Sequence, residues 1–388
     1  MDQELSLQWL ETDEAEEEDD AEVQIDEYDL ASSPNDFNTL TIVNFIESGA
    51  VKIPGFQRNY VWDIKRASKL IESLILGLPV PQVFLYEQSR NEFLVIDGQQ
   101  RLMTIYFFVK QRFPRKSKRV ELRRLLAAEQ TFPPELLHDD VYFENFTLRL
   151  PEVADKKPNR FSKLKYETLA DYRTQFDLRT IRNIIVKQLR PTGDDSSVYE
   201  IFHRLNSGGV NLTPQEIRAS LYYSEFFKML SEVNLEAAWR DLIALEDLDL
   251  NLRDVEILLR AVAMLTRGDV YASSMAKFLN GFAKSAKTMS DDEIERLRSE
   301  LLWFISTAHG RLEERAFLRS SKFSVTLFES AFRAAILERR ANRPVDAIFD
   351  RIPVLRDDDQ FLKFSTARSS NKANVEGRLK RAIEVMTS

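Results

Sequence analysis

The 388-residue sequence has no cysteine and only three histidines, His138, His203 and His309. The first absence removes disulfides, thiol nucleophiles and zinc sites built on thiolates. The second leaves no two imidazoles at metal-ligand spacing, which argues against a zinc hydrolase or a histidine-dependent metal-finger nuclease. No apolar run reaches the ~18 residues that span a bilayer, and the N-terminus is acidic where a secretion signal is basic and then apolar. The expected location is the cytoplasm, with no membrane partner. The P-loop pattern G-x-x-x-x-G-K-[ST] is missing, as are G-x-G-x-x-G, G-x-S-x-G and H-E-x-x-H.

Positive charge is missing from one end only. Residues 1–51 contain sixteen Asp or Glu and no Lys or Arg, so within an overall net charge of −8 the remaining 337 residues carry +8. The mildly acidic balance therefore describes an acidic tail on a basic body, and the body is the part suited to phosphates. The run Glu11-Thr12-Asp13-Glu14-Ala15-Glu16-Glu17-Glu18-Asp19-Asp20 has too little apolar surface to offset the entropy of ordering it. Residues 1–35 are expected to be a disordered acidic tail, either solubilising or competing with nucleic acid for the body's own basic surface.

Folding is expected to begin near Asp36, with Phe37, Leu40, Val43 and Ile46 on one face of a short helix ending at Gly49. Val51 to Pro54 reads as extended. Asp63 is a natural N-cap for a helix carrying Ile64, Ala67, Leu70, Ile71, Leu74 and Ile75 at the spacing of one buried face, with Gly77 as its stop. Gln82–Tyr86 and Glu92–Ile96 are β-rich runs around the polar turn Gln88–Asn91, a hairpin pattern. A helical pattern follows Gly98, the stretch Tyr142–Leu150 reads as a strand or hairpin arm, and Ile181–Val186 as a buried strand. Thr213-Pro214-Gln215-Glu216 and Ser290-Asp291-Asp292-Glu293 are capping boxes, and nearly everything beyond Ser196 has helical periodicity. The expected fold class is α+β: an N-terminal domain over 36–200 and a mostly α-helical C-terminal domain over 201–388.

Three clusters carry the chemistry. Asp97-Gly98-Gln99-Gln100-Arg101 lies where a strand gives way to a helix, a junction with unpaired N–H groups and the positive end of a helix dipole, which attracts phosphate. Gly98 permits close backbone approach, Arg101 offers a planar fork for two phosphate oxygens, Gln99 and Gln100 can orient water or a base edge, and Asp97 can hold Mg2+ or accept a proton. An ordinary βα turn with a solvated arginine would read the same way. Phe56-Gln57-Arg58-Asn59-Tyr60-Val61-Trp62 adds Gln57 and Arg58 as further phosphate ligands, unless Arg58 packs over Tyr60 or Trp62. Phe202-His203-Arg204-Leu205-Asn206-Ser207-Gly208-Gly209 offers an anion-cradling nest at Asn206 and Gly208, or simply a helix stop. Between Lys110 and Arg124 eight Lys or Arg face one Glu121, and Arg115, Lys116, Lys118 and Arg119 are the expected DNA-phosphate contacts.

At these residues the sequence resembles the N-terminal domain family of GmrSD-type restriction endonucleases, which is similar in fold to ParB and sulfiredoxin. The matching pieces are Ile53–Trp62, the helix and first hairpin strand from Leu70 to Tyr86, Ile96–Thr104 and Phe202–Gly209, which together span roughly residues 36–230. The resemblance implies binding and hydrolysis of a nucleoside triphosphate, ATP or GTP, at the Asp-Gly-Gln-Gln-Arg motif, in defence against modified or foreign DNA. Asp97, Gln100 and Arg101 are then the catalytic candidates, Asp97 the metal ligand, and Gln57, Arg58, Gly98, Gln99, Arg101, Thr104, Asn206 and Gly208 the nucleotide-binding set. The sequence departs from the family in lacking an evident C-terminal histidine-metal nuclease module, and in Met103 where threonine is more frequent. Expected partners are DNA, a separately encoded nuclease or helicase, and further copies of the chain. The alternative reading is a non-hydrolysing, nucleotide-gated DNA-binding or regulatory subunit; a chain that nicks DNA itself ranks last.

Overall fold

The computed structural model describes residues 9–11, 29–52, 60–119, 121–122, 133–152, 157–190, 201, 213–249, 251–272, 274–313 and 315–388. Gln57, Arg58, His203, Asn206, Gly208, Arg123, Arg124 and the run Thr12–Asp20 lie outside the described residues. The chain divides into two units, one formed by residues 26–212 and the other by residues 1–25 with 213–388.

The first of these units is built on a mixed five-stranded sheet, in the order β1-β7-β3-β4-β2. Its elements are β1 (Asp29–Asn38), α1 (Thr39–Glu47), β2 (Val51–Lys52), α2 (Ile64–Leu76), β3 (Val83–Ser89), β4 (Glu92–Asp97), α3 (Gln99–Val109), β5 (Arg112–Pro114), α4 (Pro134–His138), β6 (Phe143–Asn145), α5 (Tyr172–Asp177) and β7 (Thr180–Arg190). The Asp63 carboxylate accepts from Arg66 N at 2.7 Å, and Gly77 closes α2 in the left-handed conformation at φ 76°. All six expected apolar positions of α2 are buried against this unit's core.

Two expectations shift. Regular structure in this unit reaches back beyond Asp36 to Asp29, because β1 pairs antiparallel along β7 from Asn38↔Thr180 to Asp29↔Arg190. This places 29–35, expected as tail, in the sheet. The buried face of α1 is Thr39, Ile42, Val43 and Ile46, while Leu40 is exposed and Phe37 belongs to β1. The helix begins two residues later than the apolar spacing suggests, since Asn38 caps it by accepting from Thr41 N at 2.7 Å.

The β3–β4 hairpin forms as expected, with a tighter turn in which Asn91 takes a positive φ of 64°. β7 fulfils the expected buried strand and is interior, antiparallel to β1 and parallel to β3. α3 is buried almost all round, from Leu102 to Phe108. Phe108 meets Phe146 and Phe176 edge-on, and Tyr60 meets Phe107 and Phe113 in the same way. Such aromatic packing fixes the C-terminal half of α3 in this unit's core.

The second unit is mostly helical: α6 (Pro214–Leu221), α7 (Glu225–Val233), α8 (Ala237–Leu242), α9 (Arg253–Arg267), α10 (Met275–Ala286), α11 (Asp291–Arg311), the small hairpin β8 (Leu318–Arg319) and β9 (Lys322–Phe323), α12 (Val325–Arg340), α13 (Asp346–Asp350), α14 (Ile352–Arg356), α15 (Asp359–Ser365) and α16 (Lys372–Thr387). Thr213 and Glu216 form the reciprocal capping box with Pro214 in the first turn, and Ser290 accepts from Glu293 N at 3.3 Å at the head of α11. Glu329 on α12 is fully buried between Arg260 of α9, at 3.0 Å, and Arg378 of α16, at 2.6 Å. Burial alone would raise the pKa of Glu329, but the two guanidinium charges more than reverse this and hold it below the usual carboxylate range. Among the described residues no helix is long and apolar enough to cross a membrane.

Candidate functional site

The turn between β4 and α3 depends on Gly98. Its φ of 99° lies where side chains are rarely accommodated, and a Cβ there would stand 2.8 Å from Val83 Cγ2 and 3.1 Å from Arg101 Nη2. No side chain caps the helix that starts here, and its first backbone bond runs from Leu102 N to Gly98 O at 3.0 Å. The start of α3 thus keeps its N–H groups and its positive dipole end without a side-chain anion.

Arg101 turns back along the strand. Its Nη2 donates to Asp97 Oδ2 at 2.7 Å and to the Gln82 carbonyl at 3.0 Å, tying the end of β4 to the approach of β3. The guanidinium side chain is 17% exposed and the Asp97 carboxylate 40%, so the pair sits at a rim and not in the core. Arg101 Nε and Gln99 Oε1 are buried and have no hydrogen-bond partner among the described residues. A buried donor and a buried acceptor left open in one turn are costly unless something satisfies them. Both recorded bonds of Arg101 leave from one nitrogen, so the fork is only partly engaged.

Other expected site residues have structural duties. Gln100 Oε1 accepts from Val61 N at 3.0 Å and Trp62 N at 3.4 Å. Thr104 is fully buried, and its hydroxyl donates to Gln100 O at 2.6 Å and shares a 2.8 Å bond with the Tyr60 hydroxyl. Burial pushes the Tyr60 pKa far up, so this phenol stays protonated. The structure gives Thr104 and Gln100 the job of fixing the 60–62 segment to α3, and Thr104 has no surface to offer a nucleotide.

The basic run divides similarly. Arg119, expected on DNA, donates from Nη1 to Val61 O at 2.9 Å and from Nη2 to Trp62 O at 2.7 Å, with its guanidinium over the Tyr60 ring. Its desolvation lowers its pKa, as expected for a half-buried cation. Gln100 and Arg119 therefore hold the N–H and C=O groups of the same two residues. Arg115 Nε donates to Asp140 O at 2.9 Å, Lys118 pairs with Glu121 at 2.7 Å, Lys110 pairs with Glu47, and Lys116 is exposed. What sequence reasoning missed is this clasp. Its one legible signal is that Gln100 and Thr104 are four apart, on one face of α3.

Asp97 stands without two further His, Cys, Asp or Glu groups that could complete a protein cage for a metal, among the described residues. One carboxylate suits magnesium, which usually keeps waters and takes the remaining ligands from substrate phosphates. The open Arg101 Nε and Gln99 Oε1 suit the same anionic ligand and a water beside it.

Comparison with known proteins gives two findings. Residues 39–223 match the family described as GmrSD restriction endonuclease, N-terminal domain. An uncharacterised protein of Methanocaldococcus jannaschii is 22% identical over 245 residues, a match that covers 50% of this chain and 42% of that relative.

Proposed function

We propose that the chain, whose residues 39–223 match the family described as GmrSD restriction endonuclease, N-terminal domain, binds and hydrolyses a nucleoside triphosphate within a bacterial restriction or anti-phage system acting on DNA. The observation that carries this reading is the partly engaged Arg101 fork beside an uncapped helix start, with Arg101 Nε and Gln99 Oε1 open. Phosphoryl transfer asks a protein mainly for placement and neutralisation of charge, which this set provides without a histidine.

In this reading the α3 N-terminus and Arg101 receive the phosphates, joined by Gln57, Arg58, Asn206 and Gly208. Gln99 Oε1 orients the attacking water. The water oxygen bonds to the terminal phosphorus as the bridging P–O bond breaks, releasing a nucleoside diphosphate and inorganic phosphate. Magnesium, held by Asp97, supplies charge neutralisation when bound. Gln100, Thr104 and Arg119 act one layer behind, by holding Tyr60–Trp62 in place. DNA meets the basic face through Arg115, Lys116 and Lys118, and a separately encoded nuclease or helicase and further copies of the chain complete the system.

The test pairs a phosphate-release assay with a calorimetric titration, using ATP and GTP with magnesium, with and without DNA. Release by the unmodified chain, abolished in a folded Arg101→Ala variant, is the expected result. Stoichiometric heat without release would replace hydrolysis by nucleotide-gated binding. Neither heat nor release overturns both readings. Supercoiled plasmid left intact in magnesium and manganese is expected, and nicked plasmid would assign cleavage to this chain.

A further inference from the structure

The acidic N-terminal stretch has a foothold of its own in the helical unit. Leu10 forms a parallel bridge with Phe323, with Phe323 N donating to Trp9 O at 2.7 Å and Glu11 N to Phe323 O at 3.0 Å. Residues 9–11 thereby continue the β8–β9 hairpin, whose pairs are Leu318↔Phe323 and Arg319↔Lys322. Backbone bonds of this kind are how an extended peptide adds to a sheet edge, while side-chain pockets provide the selectivity.

All three side chains find a partner or cover. Leu10 is 6% exposed, as buried as many core residues of the helical unit. The Trp9 indole N–H donates at 3.3 Å to Asp249 Oδ2, on a carboxylate whose other oxygen accepts from Asn251 N at 2.8 Å. Glu11 stands 3.5 Å from the guanidinium of Arg319, which lies over the Phe361 ring. Nε, Nη1 and Nη2 of Arg319 are all buried without a hydrogen-bond partner among the described residues. A cation in that position demands an anion, and burial pulls its pKa below the usual value while Glu11 is the first group to counter the loss. An aromatic donor, an apolar side chain and a carboxylate, in that order on an extended backbone, are what these three groups select.

We propose that the β9 edge, with Asp249 and Arg319, is a peptide-recognition site whose resident ligand is the chain's own Trp9-Leu10-Glu11, and which accepts the same sequence supplied in trans. Trp9–Glu11 is then a latch immediately ahead, in sequence, of residues 12–28, which contain ten Asp or Glu and no Lys or Arg.

Amide hydrogen exchange tests this, because Phe323 N–H is protected by Trp9 and by no helix. In the unmodified chain the Phe323 amide exchanges slowly, and rapid exchange there overturns the proposal without any variant. Leu10→Asp accelerates Phe323 exchange at least tenfold while amides of α9 and α12 stay protected; unchanged Phe323 exchange overturns it. A chain lacking residues 1–11 recovers protection at Phe323 on addition of a synthetic peptide of residues 5–15, and not with the same peptide carrying Leu10→Asp. Failure of the unmodified peptide to restore protection, or equal action of both peptides, also overturns the proposal. If Leu10→Asp loses helix protection as well, excess peptide added to the unmodified chain decides: displacement of a fluorophore attached near the N-terminus supports the site, and no displacement overturns it.

Discussion

Two arginine–carboxylate constellations in this protein look alike on paper and behave differently in space. In the helical unit Glu329 is fully buried, with Arg260 and Arg378 around it and Arg378 also donating to the Ser369 carbonyl. At the β4–α3 turn Arg101 and Asp97 pair at 2.7 Å on a rim, with Arg101 Nε still open. Both carboxylates are held by arginine, but Asp97 is 40% exposed whereas Glu329 is fully buried, so only the rim carboxylate is within reach of solvent. The buried knot joins α9, α12 and α16, and breaking it leaves charges that no solvent can reach. The rim pair positions a partly engaged donor at a helix start, which is useful to a ligand and of little consequence to stability. The contrast teaches that access, more than the presence of charge, separates a candidate site from a structural brace.

The largest effect belongs to the buried knot. Glu329→Ala strands two buried guanidinium groups and should lower unfolding free energy by about 3–5 kcal/mol, measured by denaturant unfolding. Because the folded-state pKa of Glu329 is depressed, its contribution is fully present above the unfolded carboxylate value of roughly 4.3 and is lost as pH falls through the lower folded value. The difference between wild type and Glu329→Ala should narrow below about pH 4; a pH-independent gap would mean that packing, not charge, makes the knot.

Arg119→Ser comes next. It removes two charge-assisted bonds to the Val61 and Trp62 carbonyls, at a cost of about 1.5–3 kcal/mol. An unchanged denaturation midpoint would return Arg119 to the surface-cation class. Gly98→Ala should cost about 1–2 kcal/mol from its backbone conformation alone, with the Val83 contact at 2.8 Å adding to it. Nucleotide turnover should fall more steeply than stability, since the added methyl also displaces Arg101; equal losses would make the turn a brace like the knot.

The smallest effect on stability, within about 0.5 kcal/mol, is expected for Arg115, Lys116 and Lys118 changed together to Ser. If these residues meet DNA phosphates, affinity falls and the slope of log affinity against log salt flattens by about 0.9 per lost contact. An unchanged slope would leave them as ordinary solvated cations.

Much of the local structure was legible because its causes are local. The Asp63 cap, the buried face of α2, the hairpin, the Gly98 junction and the Thr213 capping box each follow from a few neighbouring residues whose steric and hydrogen-bonding preferences act over one or two turns. The residue types at Asp97–Arg101 likewise announced a turn suited to anions, and the match over residues 39–223 agrees with the resemblance drawn from those motifs.

Assignment of roles within the motif was not legible. Arg119 lies amid lysines and arginines and reads as a phosphate contact, yet it donates to carbonyls 57 and 58 residues away. Thr104 reads as a ligand beside the motif, yet packing puts its hydroxyl against Tyr60. Trp9-Leu10-Glu11 reads as the start of a tail and is placed by a strand more than 300 residues further on. The sequence alone determines where helices start, where the chain must turn and which surfaces are charged, because those depend on neighbours along the chain. Only the tertiary structure decides which charged and polar groups are consumed by distant backbone and which remain open, because burial and hydrogen-bond partners are set by residues that the fold brings together.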